Sequence, residues 1–294
     1  MNDNNEPSVT LDLRNRIKQV TELPAMPGLA QEIFRLKSNP YAELRDLVKV
    51  IETDPSLAAQ VMRYAKSALF GFNGRITSVQ EAITFVLGFD MTINIALGLS
   101  LGKYFRNPLS GPVGLSAFWR HAIYSAALTQ RLGLAISYEQ RPPPGLSYLC
   151  GLLHNFGFLI LGHLFPKELL QLNEIIKNHP DEPVLEIERR TIGITHAEIG
   201  SWIMQAWKLP KEIQVVAAEH HNARYGGEYA VYVHLVLLTD RLLKRHGIGD
   251  AEDTTLPEDI MQSLHLTEDK LIMETDKILE GSSDLDVMVQ QMAA

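Results

Sequence analysis

The chain has 294 residues, 46% of them apolar and 21% charged, a composition that excludes disordered and fibrous proteins. The formal charge of −8 is concentrated near the end, where residues 250–294 hold 12 Asp or Glu against 2 Lys. This leaves residues 1–249 with a charge of about +2 and no strongly basic face, which argues against nucleic acid as a direct partner.

The cysteine content and the first residues bear on the cellular compartment. Cys150 is the only cysteine, so no intrachain disulfide can form and a reducing compartment is the simplest location. The start, MNDNNEPSVT, lacks the basic and apolar sections of a secretion signal. The apolar run from residue 146 to 165 contains His154, Asn155 and His163, which favours a buried helix over a membrane span. We therefore expect a cytoplasmic protein without a membrane partner.

Helical signals dominate the first half of the chain. An apolar stripe with the spacing of an amphipathic helix is formed by Leu44, Leu47, Val48 and Ile51. The stretch TDPSL ends this helix and starts another, with Asp54 as the cap and Pro55 at the first helical position. The stretch NPLSGPVGLS, residues 107 to 116, is rich in Pro, Gly and Ser and predicts a connection between two lobes.

The second half predicts further helices, at residues 118–132, 146–163, 166–178, 184–192, 196–207, 210–221 and 229–246. Thr195 and Glu198 have the spacing of a capping box. The last dozen residues look disordered, after a final amphipathic helix with an acidic face. We expect an all-α protein with two helical lobes, divided into a tail (1–17), a first lobe (18–106), a connection (107–117), a second lobe (118–247) and an acidic helical extension (248–294).

Polar residues of the kinds that bind metals interrupt the apolar stripes of five successive helices in the second lobe. They are His121, the pair His154 and Asn155, His196, the pair His220 and His221, and Asp240. A single histidine on an apolar face is usually a hydrogen-bonded core residue. Imidazoles and a carboxylate that converge from separate helices are typical of a metal site in a helical domain, and they suit Fe, Mn, Ni or Zn.

The order of these residues resembles the HD-domain metal-dependent phosphohydrolases, in which a His-Asp pair, an upstream His and a downstream Asp hold the metal. The resemblance implies metal ligands at His121, His154 and Asp240, and the further candidate ligands are Asn155, His196, His220 and His221. Asn155 stands where that family has the aspartate of its name. An amide is neutral and cannot bridge two cations as a carboxylate does. We expect one weakly bound divalent transition metal or none, and we assign no catalytic residue.

A more specific resemblance extends over roughly residues 18 to 245. The stretches LPAMPGLAQEIFRLKSNP, IETDPSLAAQVMRYAKSALFGF, FWRHAIYSA, LLHNFG, THAEIGSWIMQAWKLP and EHHN are similar to the bacterial HDOD domain, the HD-related output domain of signalling proteins. This resemblance implies two lobes, the second an HD-like helical bundle, and a regulatory role through contacts with other signalling proteins. HDOD members are typically degenerate at the HD metal ligands.

Two functions follow from these resemblances. The first is a non-catalytic signalling module, which the amide at Asn155 favours because it removes charge and geometry from a metal site. The second is a metal-dependent phosphohydrolase acting on a nucleotide or a phosphomonoester. The related enzymes that hydrolyse cyclic di-GMP carry a Gly-Tyr-Pro signature after the histidine pair, where this chain reads HHNARYGGEYAVY, so that activity is not expected.

Overall fold

The structure is a computed structural model that describes residues 24–67, 70–72, 74–143, 145–251 and 253–293. Within these residues the regular elements are helices and no strand occurs, which confirms the all-α prediction. The predicted N-terminal tail, residues 1–17, lies outside the described residues.

The helices before the predicted connection are α1 (Gly28–Lys37), α2 (Leu44–Glu52), α3 (Pro55–Lys66), α4 (Val79–Ala82) and α5 (Gly88–Gly102), with a π-helical turn, Ile83–Leu87, between the last two. Those that follow are α6 (Leu115–Ala135), α7 (Leu146–Leu153), α8 (Phe156–Leu164), α9 (Pro166–Asn178), α10 (Val184–Thr191), α11 (His196–Ala206), α12 (Lys211–Glu219) and α13 (Ala230–Lys244). The described chain ends with α14 (Glu258–Ser263), α15 (Glu268–Glu280) and α16 (Ser282–Ala293).

Two helix starts form as the sequence predicts. The Asp54 carboxylate accepts hydrogen bonds from the backbone N–H groups of Ser56, at 2.9 Å, and Leu57, at 3.2 Å. At the start of α11, the Thr195 hydroxyl accepts from the Glu198 N–H at 3.2 Å, and the Glu198 carboxylate accepts from the Thr195 N–H at 3.0 Å. Both caps pair N–H groups that the first turn of a helix leaves without an intrahelical partner.

Helix α6 lies at the centre of the fold, where it packs against α7, α13, α15 and α16. Helix α5 packs against both α1 and α7, so the apolar core is continuous from the first half of the chain to the second. Residues 107–114 of the predicted connection lie between α5 and α6, whereas residues 115–117 form the first turn of α6.

Two helical stretches, Val79–Gly102 and Leu146–Leu164, are long and apolar enough to cross a membrane. In the fold, however, the most apolar part of the first stretch is 67% buried, and the most apolar part of the second stretch is 89% buried. Their apolar character is therefore accounted for by the protein core.

The prediction of disorder for the last dozen residues is wrong. Residues 283–293 belong to α16, which packs against α6 and buries Leu285 and Met288. The Tyr124 hydroxyl of α6 donates to Asp286 Oδ1 at 2.8 Å. The physical reason is that Leu285, Met288 and Val289 recur with helical spacing, so they supply an apolar stripe among the polar residues.

Glu274 joins the C-terminal helices to the centre of the fold. Its carboxylate accepts from Arg131 Nε of α6 at 2.7 Å and pairs with Lys277 Nζ at 3.0 Å and Lys270 Nζ at 3.1 Å. Burial alone would raise the pKa of Glu274, but hydrogen bonds from these three cations lower it to about 2. Because the pKa is lower in the folded state, the group stabilises the fold above its ordinary pKa of 4.5, and this contribution is lost as the pH falls towards 2.

We expect Glu274→Gln to lower the free energy of unfolding at neutral pH and to weaken its fall between pH 4.5 and about 2, because the variant has no carboxylate to protonate there. Urea unfolding at neutral and acidic pH measures both effects. The matched control is Glu280→Gln, since Glu280 is exposed on the same helix. An acid profile of Glu274→Gln that runs parallel to that of the wild type would contradict the prediction.

Candidate metal centre

The helix predicted over residues 146–163 is interrupted at the pair His154 and Asn155. Helix α7 ends before them and α8 begins after them, with Asn155 at φ −95° and ψ 15°. Adjacent side chains on a regular helix point about 100° apart. Here both contact His121, since the two imidazole rings lie 4.9 Å apart and Asn155 Nδ2 lies 3.2 Å from His121 Nδ1. The break in the helix therefore brings both members of the pair to one pocket.

The first group of site residues comprises His121, His154 and Asp240. Asp240 Oδ1 on α13 lies 3.1 Å from Nε2 of His121 on α6, and 3.5 Å from Nε2 of His154. The three side chains are buried, and the most exposed is His121 at 7%. The structure thus brings together the three residues that the sequence predicts as metal ligands, and their binding of a metal stays a prediction.

The second group comprises His196, His220 and His221. Nε2 of His196 lies 3.2 Å from Nε2 of His220 and 3.3 Å from Nε2 of His221. The rings of His154 and His220 lie 5.0 Å apart, so this group adjoins the first. All of the histidines selected from the sequence therefore belong to one cluster.

Asn155 lies beside His121 of the first group, and its second partner is a residue that sequence reasoning missed. Asn155 Nδ2 donates to Asp250 Oδ1 at 2.7 Å. The other oxygen of Asp250 lies 3.7 Å from Nε2 of both His196 and His221. The sequence assigned Asp250 to the acidic extension, but its side chain is only 9% exposed. A carboxylate from beyond the second lobe therefore lies beside the amide of Asn155.

The segment that carries Asp250 turns back over the cluster directly after α13. Gly247 and Gly249 adopt φ angles of +70° and +97°, which glycine tolerates best, and Ile248 between them is buried. A Cβ on Gly249 would lie 2.6 Å from His121 Nε2, so the backbone covers that imidazole closely. No periodic signal in the sequence marks Asp250, because it follows a glycine turn outside any helix.

Glu188 on α10 is the second site residue that sequence reasoning missed. It is fully buried, and its carboxylate accepts from Nδ1 of His196 at 2.9 Å and from the His196 backbone N–H at 3.1 Å. This contact places the Nδ1 proton of His196 and turns Nε2 towards the cluster. The signal lay in the spacing, because Glu188 follows Val184 by four residues and so lies on the apolar stripe of α10.

Two of the histidines are neutral at physiological pH. Burial lowers the pKa of His154 to about 4, and burial together with the neighbouring imidazoles holds the pKa of His220 well below its ordinary value. Nδ1 of His154 lies 2.7 Å from the Gly151 carbonyl oxygen, and Nδ1 of His220 lies 3.0 Å from that of Val216. We assign the single proton of each ring to Nδ1, so the lone pair of each Nε2 faces the cluster.

Carboxylates and imidazoles shift one another's pKa values in the rest of the cluster. Burial alone would lower the pKa of His121 and of His196, but Asp240 raises that of His121 and Glu188 raises that of His196. Burial would raise the pKa of Asp250, yet the surrounding histidines hold it well below its ordinary value. The carboxylates thus favour the protonated form of the imidazoles beside them, and a metal cation takes the place of such protons when it binds.

The residues present fit a divalent transition metal. Among the described residues, four buried polar atoms of the cluster have no hydrogen-bond partner: His154 Nε2, Asn155 Oδ1, Asp240 Oδ2 and Asp250 Oδ2. Three sets of donor atoms each lie within 4.8 Å of one another: His196, His220 and His221; His121, His154 and Asp250; His154, His220 and Asp240. Imidazole nitrogens and carboxylate oxygens are the ligands that Zn, Mn, Fe and Ni share.

Two surface clefts reach the cluster, one at the first group and one at the second. One, of about 450 Å³, is lined by His121 and Asp250 together with Arg120. The other, of about 670 Å³, is lined by His221 together with Arg189. An arginine in each cleft offers a binding partner for an anion.

Known proteins resemble this chain in sequence and in fold. A crystal structure from Marinobacter aquaeolei VT8, named for signal transduction, is 33% identical, with a TM-score of 0.82 over 97% of this chain and 66% of that chain. An uncharacterized protein of Treponema pallidum (strain Nichols) is 26% identical over 270 residues. The match covers 91% of this chain but only 51% of the Treponema protein, so this chain spans about half the length of that relative.

A structure from Shewanella amazonensis SB2B, named as a phosphohydrolase, shares the fold at 18% identity, with a TM-score of 0.70 over 96% of this chain and 98% of that chain. The family is decided by the sequence model of the HDOD domain, which matches residues 23–223 and so includes the pair at 154 and 155 and the histidines of the second group. With more than half of its length in that match, the chain belongs to the HDOD family.

Proposed function

We propose that this protein is a non-catalytic regulatory module of bacterial signal transduction that acts through contacts with other signalling proteins. The observation that carries the proposal is the position of Asn155, a neutral amide beside His121 that donates to Asp250 at 2.7 Å. The relative named for signal transduction supports the regulatory role. A cytoplasmic location, with neither nucleic acid nor a membrane as a partner, completes the proposal.

The residues around His121 support a non-catalytic centre. Metal-dependent hydrolysis needs a cation that polarises the phosphoryl oxygen and activates a water, together with space for the substrate beside it. The segment that carries Asp250 covers His121 so closely that a Cβ on Gly249 would lie 2.6 Å from its Nε2. Asn155 adds no negative charge at this place. The close cover of His121 and the neutral amide of Asn155 therefore support a centre that does not hydrolyse a substrate.

A metal-dependent phosphohydrolase acting on a nucleotide or phosphomonoester is the second candidate function. The observation that favours it is the position of Asp250. Its Oδ1 lies 2.7 Å from Asn155 Nδ2, so it brings a carboxylate to the place where Asn155 has only an amide. Arg120 lines the same cleft as Asp250 and would bind a phosphate group through its guanidinium.

We expect the purified protein to show no metal-dependent hydrolysis of p-nitrophenyl phosphate, nucleotides or cyclic dinucleotides when Mn, Mg, Fe or Ni is supplied. The reason is that Asn155, unlike the aspartate of the HD-domain enzymes, cannot bridge two cations, and Asp250 is hydrogen-bonded to its amide at 2.7 Å. The wild type and His154→Ala should be indistinguishable in this assay. Turnover by the wild type that His154→Ala abolishes would overturn the regulatory proposal and establish an enzyme.

A further inference from the structure

We propose that Asp250 is a metal ligand whose carboxylate supplies the negative charge that the amide of Asn155 lacks. The inference goes beyond the regulatory role, because it holds whether or not the protein hydrolyses a substrate. Its ligand class is a divalent transition metal that accepts both imidazole and carboxylate, such as Zn²⁺.

The two oxygens of Asp250 face the two groups of the cluster. Oδ1 lies 3.4 Å from His121 Nδ1 in the first group. Oδ2 lies 3.7 Å from Nε2 of His196 and from Nε2 of His221 in the second. These separations are too long for good hydrogen bonds, but they suit ligands on a shared cation, whose bonds of about 2.0 to 2.2 Å place neighbouring donors about 3 to 4 Å apart.

Asp250 Oδ2 is also without a partner. The side chain is 9% exposed, and this oxygen makes no hydrogen bond to any residue that the structure describes. His154 Nε2 and Asp240 Oδ2 share this property in the same cluster. A buried polar atom without a partner is costly and rare in folded proteins, and several in one pocket point to a ligand.

The imidazoles of the second group indicate that this ligand is a cation. Nδ1 of His196 is bonded to Glu188, and Nδ1 of His220 faces the Val216 carbonyl at 3.0 Å. The two Nε2 atoms of these rings are nevertheless only 3.2 Å apart. This separation suits two nitrogens on one cation, because metal–nitrogen bonds of about 2.0 to 2.1 Å place neighbouring donors about 3 to 4 Å apart.

Packing holds Asp250 at this place. Ile248 is buried, and Gly249 lies against the His121 ring, so residues 247–250 are held against the cluster. Metal binding is then coupled to the docking of this segment, which begins the C-terminal extension. A metal site in this chain therefore includes a residue from outside the match to the HDOD domain, which ends at residue 223.

The experiment is a titration of full-length protein with Zn²⁺ in competition with a chromophoric chelator, together with the bound zinc per chain after gel filtration. We expect Asp250→Asn to weaken zinc binding by about 10- to 100-fold or more, as the loss of ligands and their supporting groups commonly does. Asp276→Asn, at an exposed aspartate of α15, should bind zinc like the wild type.

A double variant keeps the test independent of folding. Asn155→Asp combined with Asp250→Asn exchanges the carboxylate and the amide, whose polar atoms lie 2.7 Å apart, and should regain most of the affinity lost in Asp250→Asn. Circular dichroism shows whether each variant is folded. Zinc affinity of folded Asp250→Asn equal to that of the wild type would overturn the proposal, and so would a wild type that binds no zinc. Neither result depends on the hydrolysis assay.

Discussion

Gly157→Ala is expected to destabilise the protein by about 3 kcal/mol or more, at the upper end of what overpacking costs. A Cβ on Gly157 of α8 would lie 1.9 Å from the carbonyl oxygen of His196 and 2.7 Å from its carbonyl carbon. Both atoms belong to the backbone at the start of α11, which cannot move aside as a flexible side chain can. The substitution must separate α8 from α11, and it will displace His196 from the cluster.

Urea unfolding followed by circular dichroism measures this loss. The control is Gly28→Ala at the start of α1, where a Cβ would meet nothing within 4 Å, so a change of less than about 1 kcal/mol is expected. If Gly157→Ala is as stable as the wild type, α8 and α11 lie farther apart than the 1.9 Å between the added Cβ and the His196 carbonyl oxygen implies. Weaker zinc binding by the fraction that remains folded would link this contact to the position of His196.

Asn155→Asp is expected to destabilise the metal-free protein by a few kcal/mol and to make its stability depend on metal. Asn155 Nδ2 lies 2.7 Å from Asp250 Oδ1, so the substitution replaces a hydrogen bond by two buried carboxylates in contact. Zn²⁺ would neutralise both charges and gain a ligand. We therefore expect zinc affinity to rise by about 10- to 100-fold and the melting temperature to recover when zinc is added.

The matched control is Asn173→Asp on α9, which also replaces a buried asparagine. Asn173 accepts from the Val113 N–H at 2.8 Å and donates to the Leu169 carbonyl at 3.1 Å, away from the cluster. This variant should also lose stability, because Asp cannot donate the second bond unless protonated, but zinc should not restore it. A melting temperature of Asn155→Asp that zinc does not raise would indicate that the pair at 154 and 155 no longer contributes to a metal site.

Helices, their starts and most of the cluster could be predicted from the sequence because their signals are local. Asp54 and Thr195 cap their helices through hydrogen bonds that span two or three residues. His121, His196 and Asp240 were selected because each interrupts an apolar stripe where burial demands a partner. The same criterion, applied to α10, would have selected Glu188. The helix over residues 283–293 likewise has a signal in the sequence, the apolar stripe of Leu285, Met288 and Val289, which its polar composition obscured.

By itself, then, the sequence determined the all-α fold and the set of imidazoles that face the interior. Only the tertiary structure decided which carboxylate joins them, because Asp250 lies 95 residues from Asn155 and has no periodic signal of its own. Its position depends on where α13 ends, on the glycine turn that follows and on the burial of Ile248. The break at the pair of His154 and Asn155 is decided in the same way, since both side chains lie against His121 of α6. Contacts between distant segments, and not local propensity, place the charge that Asn155 lacks.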